Sequence, residues 1–251
     1  MLHHPTLEKL QTLKLTGMMA ALKEQMQQSD INELGFEERL GLLVDRELTE
    51  RDSRQLSNRL KRAKLKHQAA IEDVDYQQPR GLDKNLIQTL STSRWVKEHL
   101  NILITGSTGV GKTWLACAFA HKACRDGYSA HYIRLSRLLG ELVIAKGDGR
   151  YVKLLAQLAK MDVLIIDDWG LAKLTAENRR DLLELLDDRH GRRSTIATSQ
   201  LPTDQWHDVI GDPTMADAIL DRLIHNAYKI NLTGESMRKK QSKLTSTTPT
   251  E

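Results

Sequence analysis

Asn101-Ile-Leu-Ile-Thr-Gly106-Ser-Thr-Gly-Val-Gly-Lys112-Thr113 organises the reading of the whole chain. Residues 101–105 form a short apolar run of the kind that makes a buried strand. Residues 106–113 match the pattern G-x-x-x-x-G-K-[ST] at every fixed position, and a helical pattern runs on from Lys112 to Arg125. Glycines let successive backbone N–H groups turn toward phosphate oxygens, and the helix start adds partial positive charge. Gly106, Ser107, Thr108, Gly109, Val110 and Gly111 are therefore expected to wrap the phosphates of ATP. Lys112 would reach the β- and γ-phosphates, and Thr113 would offer its hydroxyl oxygen to Mg2+. A chance glycine-rich turn is the competing explanation, and the strand before it and helix after it argue against that.

Outward from this loop the pattern alternates. Residues 130–135, 163–166, 194–198 and 228–232 read as four more strands, and 136–145, 151–159, 176–190 and 213–225 read as helices between them. Strands alternating with helices predict an α/β fold, a parallel five-stranded sheet covered on both faces. Asp167 and Asp168 follow the apolar run 163–166, at the strand end where doubly wound sheets place ligands. Asp167 is expected in the Mg2+ shell and Asp168 as the general base for the attacking water. Thr198, Ser199 and Gln200 end the fourth strand, where a polar residue can touch the γ-phosphate or serve as a helix N-cap. Arg222 lies on the helix after that strand. It is either an ion-paired surface residue or a finger reaching the ATP site of a neighbouring subunit, which would make it catalytic.

Before the sheet the chain is helical. Leu7, Leu10 and Leu13 begin an apolar stripe that Gly17 interrupts and that Met18, Met19, Leu22 and Met26 resume. A second stripe runs through Phe36, Leu40, Leu43, Val44 and Leu48, continuing or restarting through Leu56, Leu60 and Ala63. Arg51, Arg54, Arg59, Lys61, Arg62, Lys64 and Lys66 then accumulate against one acid, Asp52. Such a run either contacts duplex DNA phosphates or is a solvated helix face. No aromatic residues interleave it, so a stacking platform for single strands is poorly supported. Residues 71–81, with Pro79 and Gly81, break the periodicity. The expected organisation is a helical module at 1–75, an ATPase domain at 76–240 and a disordered polar tail at 241–251.

Composition sets the outer limits. The 251 residues are 40% hydrophobic and 28% charged, with a net charge of +4, ordinary for a soluble protein with mild attraction to nucleic acid. No apolar run reaches the roughly 20 residues of a membrane helix, and the N-terminus lacks a signal-peptide pattern, so the expected compartment is the cytoplasm. Cys117 and Cys124 lie on one predicted helix about 10 Å apart by rise, too far for a disulfide, and read as small buried hydrophobes. Histidine and cysteine spacings match no zinc site.

Beyond the nucleotide motifs, the strings Phe36-Glu-Glu-Arg-Leu-Gly-Leu-Leu43, Arg80-Gly-Leu-Asp83, Ile166-Asp-Asp-Trp-Gly-Leu171, Thr198-Ser-Gln-Leu-Pro202, Ala216-Asp-Ala-Ile-Leu-Asp-Arg-Leu223 and Gly234-Glu-Ser-Met-Arg238 are more specific. Through them nearly the whole chain resembles the IstB family, helper ATPases of bacterial insertion-sequence transposition related to the DnaC helicase loaders within the AAA+ ATPases. The resemblance implies an ATP-dependent DNA-binding homo-oligomer with ATP sites at subunit interfaces. It also implies a partner transposase, IstA, with the chain itself cutting no DNA. Arg222 matches the finger position, and Arg238 is implied to face nucleotide or a neighbour. Asp168 stands where many AAA+ proteins carry Glu, Gln200 stands where loaders carry Asn, and little chain remains after the fifth strand for a lid domain. A DnaC-like helicase loader is the alternative function, and a small-molecule kinase a third that leaves the helical module without a use.

Overall fold

A computed structural model describes residues 5–237; Arg238 and the tail at 241–251 lie outside the described residues. The N-terminal residues fold as α1 (Pro5–Thr12), α2 (Thr16–Gln25), a 3-10 turn (Ser29–Glu33) and the long α3 (Phe36–Ala63). Gly17 lies in the first turn of α2. A Cβ there would come within 2.7 Å of the Arg46 carbonyl oxygen and of Glu47 Cα. The glycine that reads in sequence as an interruption is thus the point where α2 lies directly on α3. At that crossing the buried Glu47 carboxylate accepts from the amides of Gly17 (2.7 Å) and Met18 (3.1 Å). An acid there satisfies orphan donors and balances the positive end of α2. Arg51 Nε donates to the same carboxylate at 2.7 Å and is the main cause holding its pKa below the ordinary glutamate value. Phe36, Leu40, Val44 and Leu48, spaced at four residues along α3, are exposed rather than buried.

The chain divides into two compact units between Asn58 and Arg59, earlier than the linker at 71–81. Tertiary contacts explain the difference. Arg59 Nε donates to the Cys124 carbonyl at 2.8 Å, and Ala63, Ala69, Ile71 and Val74 are buried. Proline and glycine mark where a helix stops, and do not show which unit buries the residues around them.

In the second unit α4 (Lys84–Leu90) and α5 (Arg94–Lys97) precede β1 (Asn101–Gly106) and α6 (Lys112–Arg125). There follow β2 (Ala130–Arg134), α7 (Leu135–Gly147), α8 (Tyr151–Lys160), β3 (Val163–Trp169), α9 (Ala176–Arg189) and β4 (Ser194–Ser199). The series closes with α10 (Trp206–Ile210), α11 (Pro213–Ile224) and β5 (Ala227–Leu232). The five strands form one parallel sheet in the order β2-β3-β4-β1-β5. Leu103, Ile104, Leu164, Ile165 and Ile196 are fully buried, as expected of central strands covered on both faces. Each such side chain contributes about 1.5–3 kcal/mol. Asn101 ties the start of β1 to its surroundings, its Nδ2 donating to the Arg222 carbonyl at 3.0 Å and its Oδ1 accepting from the Thr195 amide at 2.8 Å. Cys117 and Cys124 are buried free thiols, and burial pushes Cys124 up to about 11.

Candidate nucleotide site

The parallel sheet brings the C-terminal ends of β1, β3, β4 and β2 to one edge, and the chemistry collects there. Residues 106–111 leave β1 and turn into α6, with Gly111 as the residue before the helix. Gly106 has φ +140°, and a Cβ on it would collide with the Leu232 carbonyl of β5. Lys112 is buried and folds back, its ammonium donating to the carbonyls of Gly106 (2.7 Å) and Ser107 (2.8 Å). Two other segments lean on the loop. Arg80 Nη1 donates to the Val110 carbonyl at 3.4 Å, and the Met237 amide donates to the Gly109 carbonyl at 2.9 Å.

Asp167 is the centre of the site. It is fully buried, and its Oδ1 accepts from Thr113 Oγ1 at 2.9 Å and Thr198 Oγ1 at 2.5 Å. Its Oδ2 accepts from the Tyr132 hydroxyl at 2.6 Å and lies 3.9 Å from Lys66 Nζ. Burial, reinforced by the carboxylate, raises the Tyr132 pKa, so the phenol stays protonated and donates. The ladder between β3 and β4 shifts register between Ile166 and Trp169, and both aspartates fall in that irregularity. Asp168 adopts φ +62°, its amide donates to Thr198 Oγ1 at 3.3 Å, and its Oδ2 lies 3.7 Å from Arg134 Nε at the end of β2.

The other expected site residues separate into those near the loop and those away from it. Gln200 Oε1 accepts from Thr108 Oγ1 at 2.7 Å, which puts Gln200 on the phosphate loop. The buried Ser199 hydroxyl instead donates to the Trp169 carbonyl at 2.7 Å and accepts from the Leu201 amide at 3.0 Å. Arg222 is on α11 with its carbonyl at the start of β1, the opposite end of the sheet from the loop. Its Nε donates to Asp187 Oδ1 at 2.7 Å. The seven basic residues are divided: Arg51 and Arg54 belong to the first unit, and Arg59, Lys61, Arg62, Lys64 and Lys66 to the second. Arg51 is spent on Glu47, and Arg54 Nη2 donates to Thr16 Oγ1 at 2.5 Å. Lys61 and Arg62 are exposed, while Lys64 and Lys66 follow the end of α3 and line a cleft of about 470 Å³ with Tyr132 and Arg134.

Sequence reasoning did not anticipate Tyr132, Arg134 or Arg80 at this site. The motif Arg80-Gly-Leu-Asp83 was a usable signal for the last; nothing local marks the first two.

A phosphate loop after β1, paired acids at the end of β3 and this strand order define a P-loop ATPase of the AAA+ class. Solved structures of the same fold include DnaI (TM-score 0.58, 24% identity, covering 66% of this chain and 92% of that one). The DnaC helicase loader is another (TM-score 0.53, 19% identity, 65% and 96%). The chain belongs to the family described as IstB-like ATP binding protein, which it matches over residues 8–245. It is 54% identical over 241 residues to the insertion sequence ATP-binding protein y4pL of Sinorhizobium fredii, covering 96% of this chain and 98% of that one. It is also 32% identical over 234 residues to the insertion sequence IS21 ATP-binding protein of Pseudomonas aeruginosa, covering 93% and 88%. Among the described residues no helix is long and apolar enough to cross a membrane.

Proposed function

We propose that this protein is the ATP-hydrolysing, DNA-binding helper of an insertion-sequence transposition system, acting in the cytoplasm as a homo-oligomer on duplex DNA beside a partner transposase. The observation that carries this reading is the convergence on Asp167 of Thr113, from the phosphate loop, and Lys66, from the basic run (2.9 and 3.9 Å). Nucleotide site and candidate DNA contact thus adjoin one buried carboxylate. The insertion-sequence names of relatives that cover nearly the whole chain support the biological setting over helicase loading.

In this reading the amides of 106–111 receive the phosphates, and Lys112 exchanges two loop carbonyls for phosphate oxygens. The hydroxyl of Thr113 and the carboxylate of Asp167 are close enough to share one cation, and together they would hold Mg2+. The ion would neutralise charge between the β- and γ-phosphates. Asp168 takes the proton of the attacking water, while Thr198 and Gln200 sense the γ-phosphate. Arg222 cannot serve the site of its own chain from the far end of the sheet, so it completes the site of a neighbour. Exposed Phe36, Leu40, Val44 and Leu48 support self-association as well.

Light scattering with a non-hydrolysable ATP analogue tests the proposal. Large assemblies that need both nucleotide and duplex DNA are expected. Assembly on single strands alone would transfer the reading to a helicase loader.

A further inference from the structure

Two consecutive carbonyls of the phosphate loop are each taken by a chain segment from outside it. The buried Arg80 donates from Nη1 to the Val110 carbonyl (3.4 Å), and the Met237 amide donates to the Gly109 carbonyl (2.9 Å). In a trans peptide the C=O and the next N–H point in opposite directions. Holding these two carbonyls therefore turns the amides of Val110 and Gly111 the other way, as successive donors to a phosphate. The outside segments are also joined to each other. The Thr233 amide donates to the Arg80 carbonyl at 3.0 Å, and a Cβ on Gly234 would come within 2.8 Å of the Pro79 carbonyl oxygen. Ser236 lies so close to Gly109 that a Cβ there would fall 2.1 Å from its Oγ. Residues 79–81 and 233–237 thus form one clasp behind the loop.

An arginine stays charged in a protein, yet the partners of Arg80 are neutral. Nη2 donates to the Asp75 carbonyl at 2.7 Å, the bond to Val110 is long, and the buried Nε has no hydrogen-bond partner. No carboxylate among the described residues pairs with it. A guanidinium only 7% exposed and short of a counter-ion is costly. The anion that offsets it is one that arrives with the ligand.

We infer that Arg80 is a positioning residue for the phosphates of ATP, fixing the Gly111 amide through the Val110 carbonyl and lending its charge across that peptide. Phosphate oxygen, Gly111 N–H, Val110 C=O and guanidinium then form one polarised hydrogen-bond chain, in which each bond strengthens the next. Filling the loop accordingly shortens the long Arg80–Val110 bond and tightens the clasp at 233–237. The inference rests on the proposed phosphate-binding role of residues 106–111, and Arg80 itself touches no reacting atom.

The test is displacement of a fluorescent ATP analogue from the full chain by ATP and by inorganic tripolyphosphate, for wild type, Arg80→Met and Arg80→Lys. Methionine fills much of the same space without charge or donors. Arg80→Met is expected to weaken ATP and tripolyphosphate by the same factor, roughly tenfold, the scale of one hydrogen bond to a charged group. In steady-state turnover the loss should fall mainly on KM, the mark of binding shared by ground and transition states. Arg80→Lys, which keeps the charge, should recover part of both affinities, and no recovery counts against the charge. Affinities equal to wild type overturn the inference. So does a loss for ATP that tripolyphosphate does not share, which would move Arg80 to the base or sugar. If Arg80→Met unfolds in a thermal melt, hydrogen exchange of wild type decides. Tripolyphosphate should slow exchange of the Thr233 and Met237 amides, and unchanged rates overturn the clasp. Wild type that does not bind the analogue, or Lys112→Ala that binds it unchanged, sinks the phosphate-loop reading itself, and the inference with it.

Discussion

Lys112 rests on the carbonyls of Gly106 and Ser107, a resting place it must leave to meet a phosphate. Exchanging neutral carbonyls for a phosphate oxygen gains a charge-assisted bond. Lys112→Ala should therefore weaken ATP binding roughly tenfold to a hundredfold, read by titration with a fluorescent analogue. Unchanged affinity would remove this lysine from phosphate binding. Asp168→Ala should bind ATP and hydrolyse it roughly a hundredfold or more slowly; normal turnover would mean that another group is the base. The loop residues and Asp167 were legible in the sequence because they occur as short contiguous strings beside an apolar strand. Tyr132 and Thr198 were not assigned to Asp167, since their bonds to it join strands far apart in the chain. The split roles of Thr198 and Ser199 depend on which face of β4 each side chain takes beside a register shift in β3. Spacing alone gave no sign of that shift.

At the scale of elements, the N-terminal helices hang on Glu47. Its carboxyl is depressed by Arg51 and by two amides of α2, so its ionised form is favoured by folding. That contribution is present above the unfolded glutamate value near 4.3 and is lost as pH falls through the lower folded value. Glu47→Gln should lower the thermal midpoint at neutral pH, with the difference from wild type shrinking as the pH drops below about 4. A difference that stays constant with pH would show that the charge is immaterial. Central strands were readable because burial on both faces leaves continuous apolar runs. Short helices such as α5 (Arg94–Lys97) and α10 (Trp206–Ile210) were missed because they are too short to show a helical period. Along α3 the apolar spacing revealed a helix and could not say that Phe36, Leu40, Val44 and Leu48 would stay exposed.

Across the whole molecule, the nucleotide site and Arg222 occupy opposite ends of one sheet, an arrangement suited to neighbours in a row. Mixing Arg222→Ala with Asp168→Ala chains should then restore part of the ATPase activity. A mixed site can draw its base from one chain and its arginine from the other. No recovery at any ratio would count against a trans arginine. The mixture also separates this assignment from a structural role for the Arg222–Asp187 pair, whose loss would not be mended by a partner carrying its own intact copy. The fold class was visible in the sequence; the side of the sheet on which Arg222 falls required the register of β1 and the packing of α11.

Gly106 carries one more implication. Its missing side chain makes room for the Leu232 carbonyl, a contact internal to the sheet that exists whether or not ATP is present. Lys112 by contrast directs its ammonium to carbonyls of its own loop, those of Gly106 and Ser107. In descendants of this gene that have abandoned nucleotide, Gly106 should thus persist as a fossil of the scaffold while position 112 drifts. A glycine at 106 certifies the fold; only the lysine certifies a living site.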